Sequence, residues 1–424
     1  MALSTAHGPD CSSGRAQGIV QAARSYPPVP TLPAARVSSF TTSIFAEMSR
    51  LAVEHKAINL GQGFPDFDGP EAVKAAAIAA ISAGDNQYAV SNGQPALRRA
   101  IAAHSQRFYG QAWDPEQEIT VTSGATETLF SAIMGLVNPG DEVIIFEPCY
   151  DSYVPDVLMA GGVPRYVPLY APTPLAPDWH FDPAELAAAF NARTRLIVIN
   201  TPHNPTGKLY STSELEQIAA LCEEWDVLAL CDEVYEHLVY DGARHVRLAQ
   251  LPRMAARTVS VSSLGKTFGF TGWKIGWALA SPELTSAVRR AHQFVTFATA
   301  TPLQAAGAAA LALDDEYYES LAQSYQARRD FLLGVLRQAG LRVSVPRGTY
   351  FIMADFTPLG LPGVTDDVSF CRWLISEVGV AAIPPTAFYS EAHKSLGRNW
   401  VRFAFCKRQE TLERAAERLG AIAK

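Results

Sequence analysis

Residues 262–277, SSLGKTFGFTGWKIGW, place the amine of Lys266 among serines, glycines and threonines directly after TVSVSS (258–263). The β-branched alternation of TVSVSS reads as a buried strand end. An amine in such a place is desolvated, which lowers its pKa and frees it to form a Schiff base with an aldehyde. Gly265, Gly269, Gly272 and Gly276 keep side chains clear, so that a flat, bulky group can approach the backbone. Taken alone, the stretch also suits an ordinary lysine whose stem lies along a strand-loop-strand surface.

Four other stretches supply complementary chemistry. In EITVTSGATETLF, Gly124, Ala125 and Thr126 stand at a strand-to-helix turn, where free N–H groups and the positive helix end suit a phosphate. In RLIVINTPHNPTGK (195–208), Pro202 and Pro205 restrict the loop that carries Asn200 and Asn204. Asp232 ends the apolar run LALCD and Tyr235 follows it; a carboxylate there is costly unless a cation or several donors face it. Arg402 lies inside the apolar run WVRFAFC, and its fork matches a carboxylate. Pyridoxal 5′-phosphate meets the whole set. Its aldehyde suits Lys266, its phosphate the helix start with Ser263 and Lys274, and its protonated ring nitrogen Asp232, which leaves Arg402 for a substrate carboxylate.

Those groups need a scaffold that gathers strand ends. Apolar strands are expected at 118–123, 141–146, 194–200, 226–232, 258–263 and 274–280, alternating with helical stretches. This is the pattern of βα units around a mainly parallel sheet covered by helices on both faces, with ligands at the carboxyl ends of the strands. The fold class is therefore α/β, with a large unit over 71–304. A smaller α+β unit over 305–424 opens on a long helical region and holds GTYFIMADF (348–356) and WVRFAFC. Residues 28–70 are expected to join the smaller unit. They contain a helix within 40–57, with Thr41, Thr42 or Ser43 as N-cap, and the shaped loop NLGQGFPDFDGP. Residues 1–27, small and polar, read as a disordered extension.

The chain of 424 residues carries a net charge of −7, which argues against a nucleic-acid or anionic-membrane surface. No apolar run is long enough to span a bilayer. Cys11, Cys149, Cys222, Cys231, Cys371 and Cys406 show neither metal-site spacing nor a disulfide framework, so a reducing, cytoplasmic location without a bound metal is expected.

Through NLGQGFPDFDGP, NQYAVSNGQPALR, TVTSGATE, PCYDSY, NTPHNPTGK, CDEVYEHLVYDG, SSLGKTFGFTGWKIGW, GTYFIMADF and VRFAF, the chain resembles the fold type I, class I/II aminotransferases. QGFPDFDGP, NTPHNP and GVAAIP are most similar to the kynurenine aminotransferase/glutamine transaminase K branch, and closest to its bacterial methionine aminotransferase members. The resemblance implies that Lys266 is the Schiff-base lysine and proton carrier, and that Asp232 keeps the ring nitrogen protonated. Asn204 and Tyr235 match residues that bond the cofactor's phenolic oxygen, and Tyr150 matches the aromatic on its ring face. Gly124, Ala125, Thr126, Ser263 and Lys274 fall at the phosphate. Tyr88 matches a tyrosine contributed by the other subunit of a homodimer. Arg402 matches the α-carboxylate clamp, assisted by Gly63 and Asn204. Thr126 stands where relatives often carry an aromatic residue, and Ala298 where some carry a histidine, so the pocket shape need not follow theirs.

The expected activity is transfer of an amino group from an L-amino acid to a 2-oxo acid by a ping-pong route. Phe40, Phe64, Tyr150, Phe297 and Phe351 offer an apolar pocket for methionine or large neutral and aromatic side chains. Kynurenine or glutamine transamination, or C–S β-elimination from cysteine conjugates, would use the same cofactor residues. An aminotransferase-like transcription regulator is disfavoured, because the residues ahead of the matching block are too few for a DNA-binding module.

Overall fold

The computed structural model describes residues 33–38, 40 and 44–422. The expected extension at 1–27 and the caps at 41–43 lie outside the described residues.

Seven strands form the central sheet: β2 (Ile119–Thr122), β3 (Glu142–Glu147), β4 (Val163–Pro168), β5 (Thr194–Asn200), β6 (Leu228–Asp232), β7 (Thr258–Ser263) and β8 (Gly276–Leu279). Their order is β2-β8-β7-β6-β5-β3-β4. β8 runs antiparallel to both neighbours, β2 and β7, while the pairs from β4 through to β7 are parallel. Alternate residues explain the two covered faces. Val143, Ile145, Leu196 and Val198 enter one buried cluster, and Ile144, Phe146, Ile197 and Ile199 enter another on the opposite side. The edge strand β4, VPRYVP, was not expected: two prolines and an arginine hide its strand character, and an edge is where such residues are tolerated.

A second core gathers the chain ends. A three-stranded antiparallel sheet has β10 (Phe351–Asp355) between β12 (Trp400–Ala404) and β9 (Arg342–Val343). β1 (Ile58–Asn59) pairs in parallel with β11 (Val380–Ala381), which sets the chain's first strand beside a C-terminal one. The helix Ile44–Glu54, with Met48 and Ala52 buried, packs into the same cluster. The long helical region expected from 305 is two helices, Thr301–Leu311 and Asp315–Gln338, parted at Asp314, which caps the second through its side chain. The first packs on the helices Glu71–Ala83 and Pro95–Tyr109, so the expected boundary at 304/305 falls inside a helix that lies on the large-sheet side.

Candidate active site

β-Sheet register brings the strand ends into one row. Ser263 pairs with Gly276, Gly276 pairs with Thr122, and Asp232 pairs with Asn200 and Val261. After Ser263 the chain enters the short helix Leu264–Thr267, which carries Lys266, and then returns through Lys274 into β8. Lys274 holds a left-handed backbone, φ 55° and ψ 48°.

A cavity of about 310 Å3 opens over this row. Gly63, Gly124, Ala125, Thr126, Tyr150, Asn204, Asp232, Tyr235, Ser263, Lys266, Lys274 and Arg402 all line it. Phe64 and Phe351 line it as well, but Phe40 and Phe297, expected in the substrate pocket, do not. Phe40 lines a separate cavity, and Phe297 lies against Tyr88 on the surface with ring centroids 5.4 Å apart. Helical and loop spacing could not tell which aromatic turned inward. Phe45 and Phe270 do so instead. Tyr88 is 84% exposed and outside the cavity.

Burial lowers the Lys266 amine to about 8, against the opposing pull of Asp232. Its Nζ lies 5.5 Å from the centre of the Tyr235 ring. Asp232 is buried, which pushes its carboxyl up. Tyr153 donates to Oδ2 at 2.6 Å and the Val234 amide to Oδ1 at 3.3 Å, and these bonds oppose that rise. Asn200 donates to the Asp232 carbonyl at 2.9 Å and accepts from the Asn204 amide at 2.7 Å, linking the two loops. Arg402 comes from the middle of β12, opposite Met353 on β10. It donates through Nη1 to Asn204 Oδ1 at 2.9 Å and through Nη2 to the Gly61 carbonyl at 3.0 Å, and burial lowers it to about 10. Phe351 packs flat on its guanidinium, 4.0 Å from the ring centre.

Three observations test the fit of pyridoxal phosphate. A Cβ on Gly276 would fall 2.5 Å from the Gly124 carbonyl carbon, and one on Gly124, at φ +80°, would fall 3.2 Å from Lys274 Cε. The helix Gly124–Leu136 therefore begins directly over β8 with Lys274 laid across it, a cradle for a doubly charged oxyanion. Among the described residues, no salt bridge reaches Asp232. Finally, Arg402 Nε is buried without a partner. A phosphate, a protonated ring nitrogen and a carboxylate answer these three in turn, so the residues fit the cofactor.

Residues 55–419 match the family of class I and II aminotransferases. The chain belongs to that family. It is a pyridoxal-phosphate-dependent aminotransferase, acting on amino acids and 2-oxo acids, of the α/β fold that its neighbours share. The aminotransferase is 46% identical over 394 residues to a probable N-succinyldiaminopimelate aminotransferase of Mycobacterium tuberculosis, covering 92% of this chain and 98% of the relative. It is 40% identical over 392 residues to a methionine aminotransferase of Escherichia coli, with coverage of 92% and 98%. The solved structure of the N-succinyldiaminopimelate aminotransferase from M. tuberculosis superposes with a TM-score of 0.88 at 46% identity, over 92% of this chain and 100% of that one.

The sequence reading of the aminotransferase passed over Tyr153, Asn200 as a brace, and Phe45. Tyr153 follows Tyr150 in PCYDSY and looks like core; its hydroxyl matters because Asp232 needs a donor. No described helix is long and apolar enough to cross a membrane.

Proposed function

We propose that the enzyme takes its amino group from L-amino acids with large neutral side chains, methionine foremost. The observation that carries this reading is the charge inventory of the cavity: among the described residues, Lys266, Lys274 and Arg402 are the cations that line it, beside the acidic Asp151 and Asp232 and the rings of Phe45, Phe64, Phe270 and Phe351. Lys266 and Lys274 are committed to the cofactor, so one guanidinium is left for one carboxylate, and a second acidic group on the substrate would meet aromatic carbon. The Escherichia coli relative's name agrees with such a donor, and kynurenine, named for a Dictyostelium discoideum relative 41% identical, has a large aromatic side chain of the same kind.

When bound, pyridoxal phosphate supplies the carbonyl carbon that takes the amino group and a protonated ring that draws electrons from the α-carbon. Lys266 is the amine that holds it and then carries the proton from the α-carbon, a task its lowered pKa suits. Asp232, held by Tyr153, would keep the ring nitrogen protonated. Asn204 and Tyr235 would serve the phenolic oxygen and Tyr150 the ring, while Gly124, Ala125, Thr126, Ser263 and Lys274 would hold the phosphate. Arg402 fixes the substrate carboxylate with help from Asn204 and the Gly63 backbone, so that the α-hydrogen is aimed at Lys266.

Tyr88, 84% exposed, packs edge-on against the half-exposed Phe297 with ring centroids 5.4 Å apart, an exposed aromatic pair suited to a second copy of the chain. This supports a homodimer in which Tyr88 completes the partner's site. The division into a large unit and a smaller unit built from both chain ends follows the two cores, and the buried thiols of Cys149, Cys222, Cys231, Cys371 and Cys406 suit the cytoplasm. A panel of donors and oxo-acid acceptors tests the reading. Methionine, phenylalanine and kynurenine should outrank glutamate and N-succinyldiaminopimelate in kcat/KM; the reverse order would overturn it. Pyruvate and ammonia released from a cysteine conjugate without added oxo acid would mark β-elimination, and a fully active monomer would contradict the role of Tyr88.

A further inference from the structure

Behind the row of strand ends lies a second, fully buried group of charges that the reaction does not use. Arg247 is 1% exposed. Its Nη2 donates to Glu236 Oε2 at 2.6 Å, its Nη1 to Ser105 Oγ at 2.9 Å, and its Nε stands 3.0 Å from Glu233 Oε2. The Nε contact is charge without an aligned hydrogen bond, since both Glu233 oxygens and Arg247 Nε lack hydrogen-bond partners. Glu236 Oε1 accepts from Ser262 Oγ at 2.6 Å. The guanidinium lies 3.7 Å from the centre of the Tyr109 ring.

His104 and His237 adjoin this group with Nε2 atoms 2.8 Å apart, and with Glu236 they form a set of three possible metal ligands. Both oxygens of Glu236 are already taken by Ser262 and Arg247, and Arg107 and Arg247 add positive charge beside the imidazoles. A cation is therefore disfavoured there, and the imidazoles share one proton in an N–H···N bond.

What the group does follows from strand geometry. Successive side chains of a strand face opposite ways, so Ser262 turns to Glu236 while Ser263 turns to the cavity. Glu233 likewise follows Asp232, and its amide donates to the Val261 carbonyl of β7 at 2.8 Å. Through Glu236, one guanidinium thus ties the chain just beyond β6 to the end of strand β7. We infer that Arg247 is a positioning residue: through Glu233, Glu236 and Ser262 it holds the ends of β6 and β7, and with them Asp232 and Ser263, in the register the cofactor needs. This rests on the roles proposed above for Asp232, Ser263 and Lys266.

The test uses the holoenzyme and its apo form. Arg247→Met strips Glu236 of its cation behind Asp232 and pushes Glu233, whose carboxyl burial already raises to about 8, higher still. kcat should fall by roughly 10- to 100-fold with the KM of the amino donor little changed, the scale of a small misplacement transmitted to a reacting centre. The pH midpoint of the bound cofactor's visible absorbance should rise, because excess negative charge favours the protonated chromophore. Glu236→Gln, nearly isosteric, should move that midpoint the opposite way, and Arg247→Lys should restore part of kcat. In the apo form, Arg247→Met should speed hydrogen exchange at the Glu233 amide. If Arg247→Met fails to fold, Glu236→Gln carries the test. An unshifted midpoint in Glu236→Gln, or losses of kcat that track thermal stability alone, would overturn the proposal. Full turnover by Lys266→Ala would instead overturn the reading of the site itself, whatever Arg247 does.

Discussion

Tyr153 gives its phenolic hydrogen to Asp232 Oδ2 at 2.6 Å, although the two residues come from a helix start and a strand end 79 positions apart. Removing that donor strips a buried carboxylate of one of its two hydrogen-bond partners. Tyr153→Phe should lower unfolding free energy by about 1.5–3 kcal/mol. It should also push Asp232 further above its ordinary range, which denaturant unfolding and the cofactor's absorbance would report together.

Arg402→Lys keeps the charge but cannot serve Asn204 and Gly61 while also offering a fork to a ligand. kcat/KM for amino donors should drop roughly 10- to 100-fold, mostly through KM, as expected for a charge-assisted bond lost from binding. A loss confined to kcat would place Arg402 elsewhere in the reaction.

The amine of Lys266 sits at about 8 in the folded chain, below its ordinary 10.5. The unfolded chain therefore binds more protons between those values, so this group's contribution to apoenzyme stability increases as pH rises from about 8 to 10.5. For the same reason, reloading of the apoenzyme with pyridoxal phosphate should quicken as pH rises through about 8 and then level off. Lys266→Ala should abolish the absorbance of the lysine-bound cofactor and remove this pH dependence from the stability curve.

Gly276→Ala would set a methyl group 2.6 Å from the Ala125 amide nitrogen. Backbone must move, at a cost of about 1–3 kcal/mol, and the phosphate cradle moves with it. Cofactor titration of the apoenzyme should show weakened binding. Gly334→Ala, in a helix with open space around it, should be neutral or stabilising.

Charged residues inside apolar runs made much of the site legible. Asp232 and Arg402 stand where burial without a partner is costly, so residue type and position alone demanded a counter-group. β8 was legible as a strand but not as an antiparallel one, since direction depends on how short the return from Lys266 is. Phe45 lies in the first turn of the helix Ile44–Glu54, and packing on Phe388 and Arg402, rather than local sequence, turns it inward. Tyr153 and Arg247 were silent for a related reason. Each acts through a neighbour distant in the chain, and neither sits in a pattern that marks an aromatic or a loop arginine as buried and bonded.

The reversal of β8 against β7 has a consequence for the loop between them. Lys266 and Lys274 sit near its two ends, so a single bound molecule that holds both closes the loop into a ring, as a removable staple would. Its closure entropy is then supplied by the ligand rather than by the chain. Although Leu264, Phe268, Phe270 and Ile275 anchor it in a buried cluster, the segment 264–275 should be less protected against hydrogen exchange in the apoenzyme than in the loaded enzyme, so that its protection counts how many molecules are loaded.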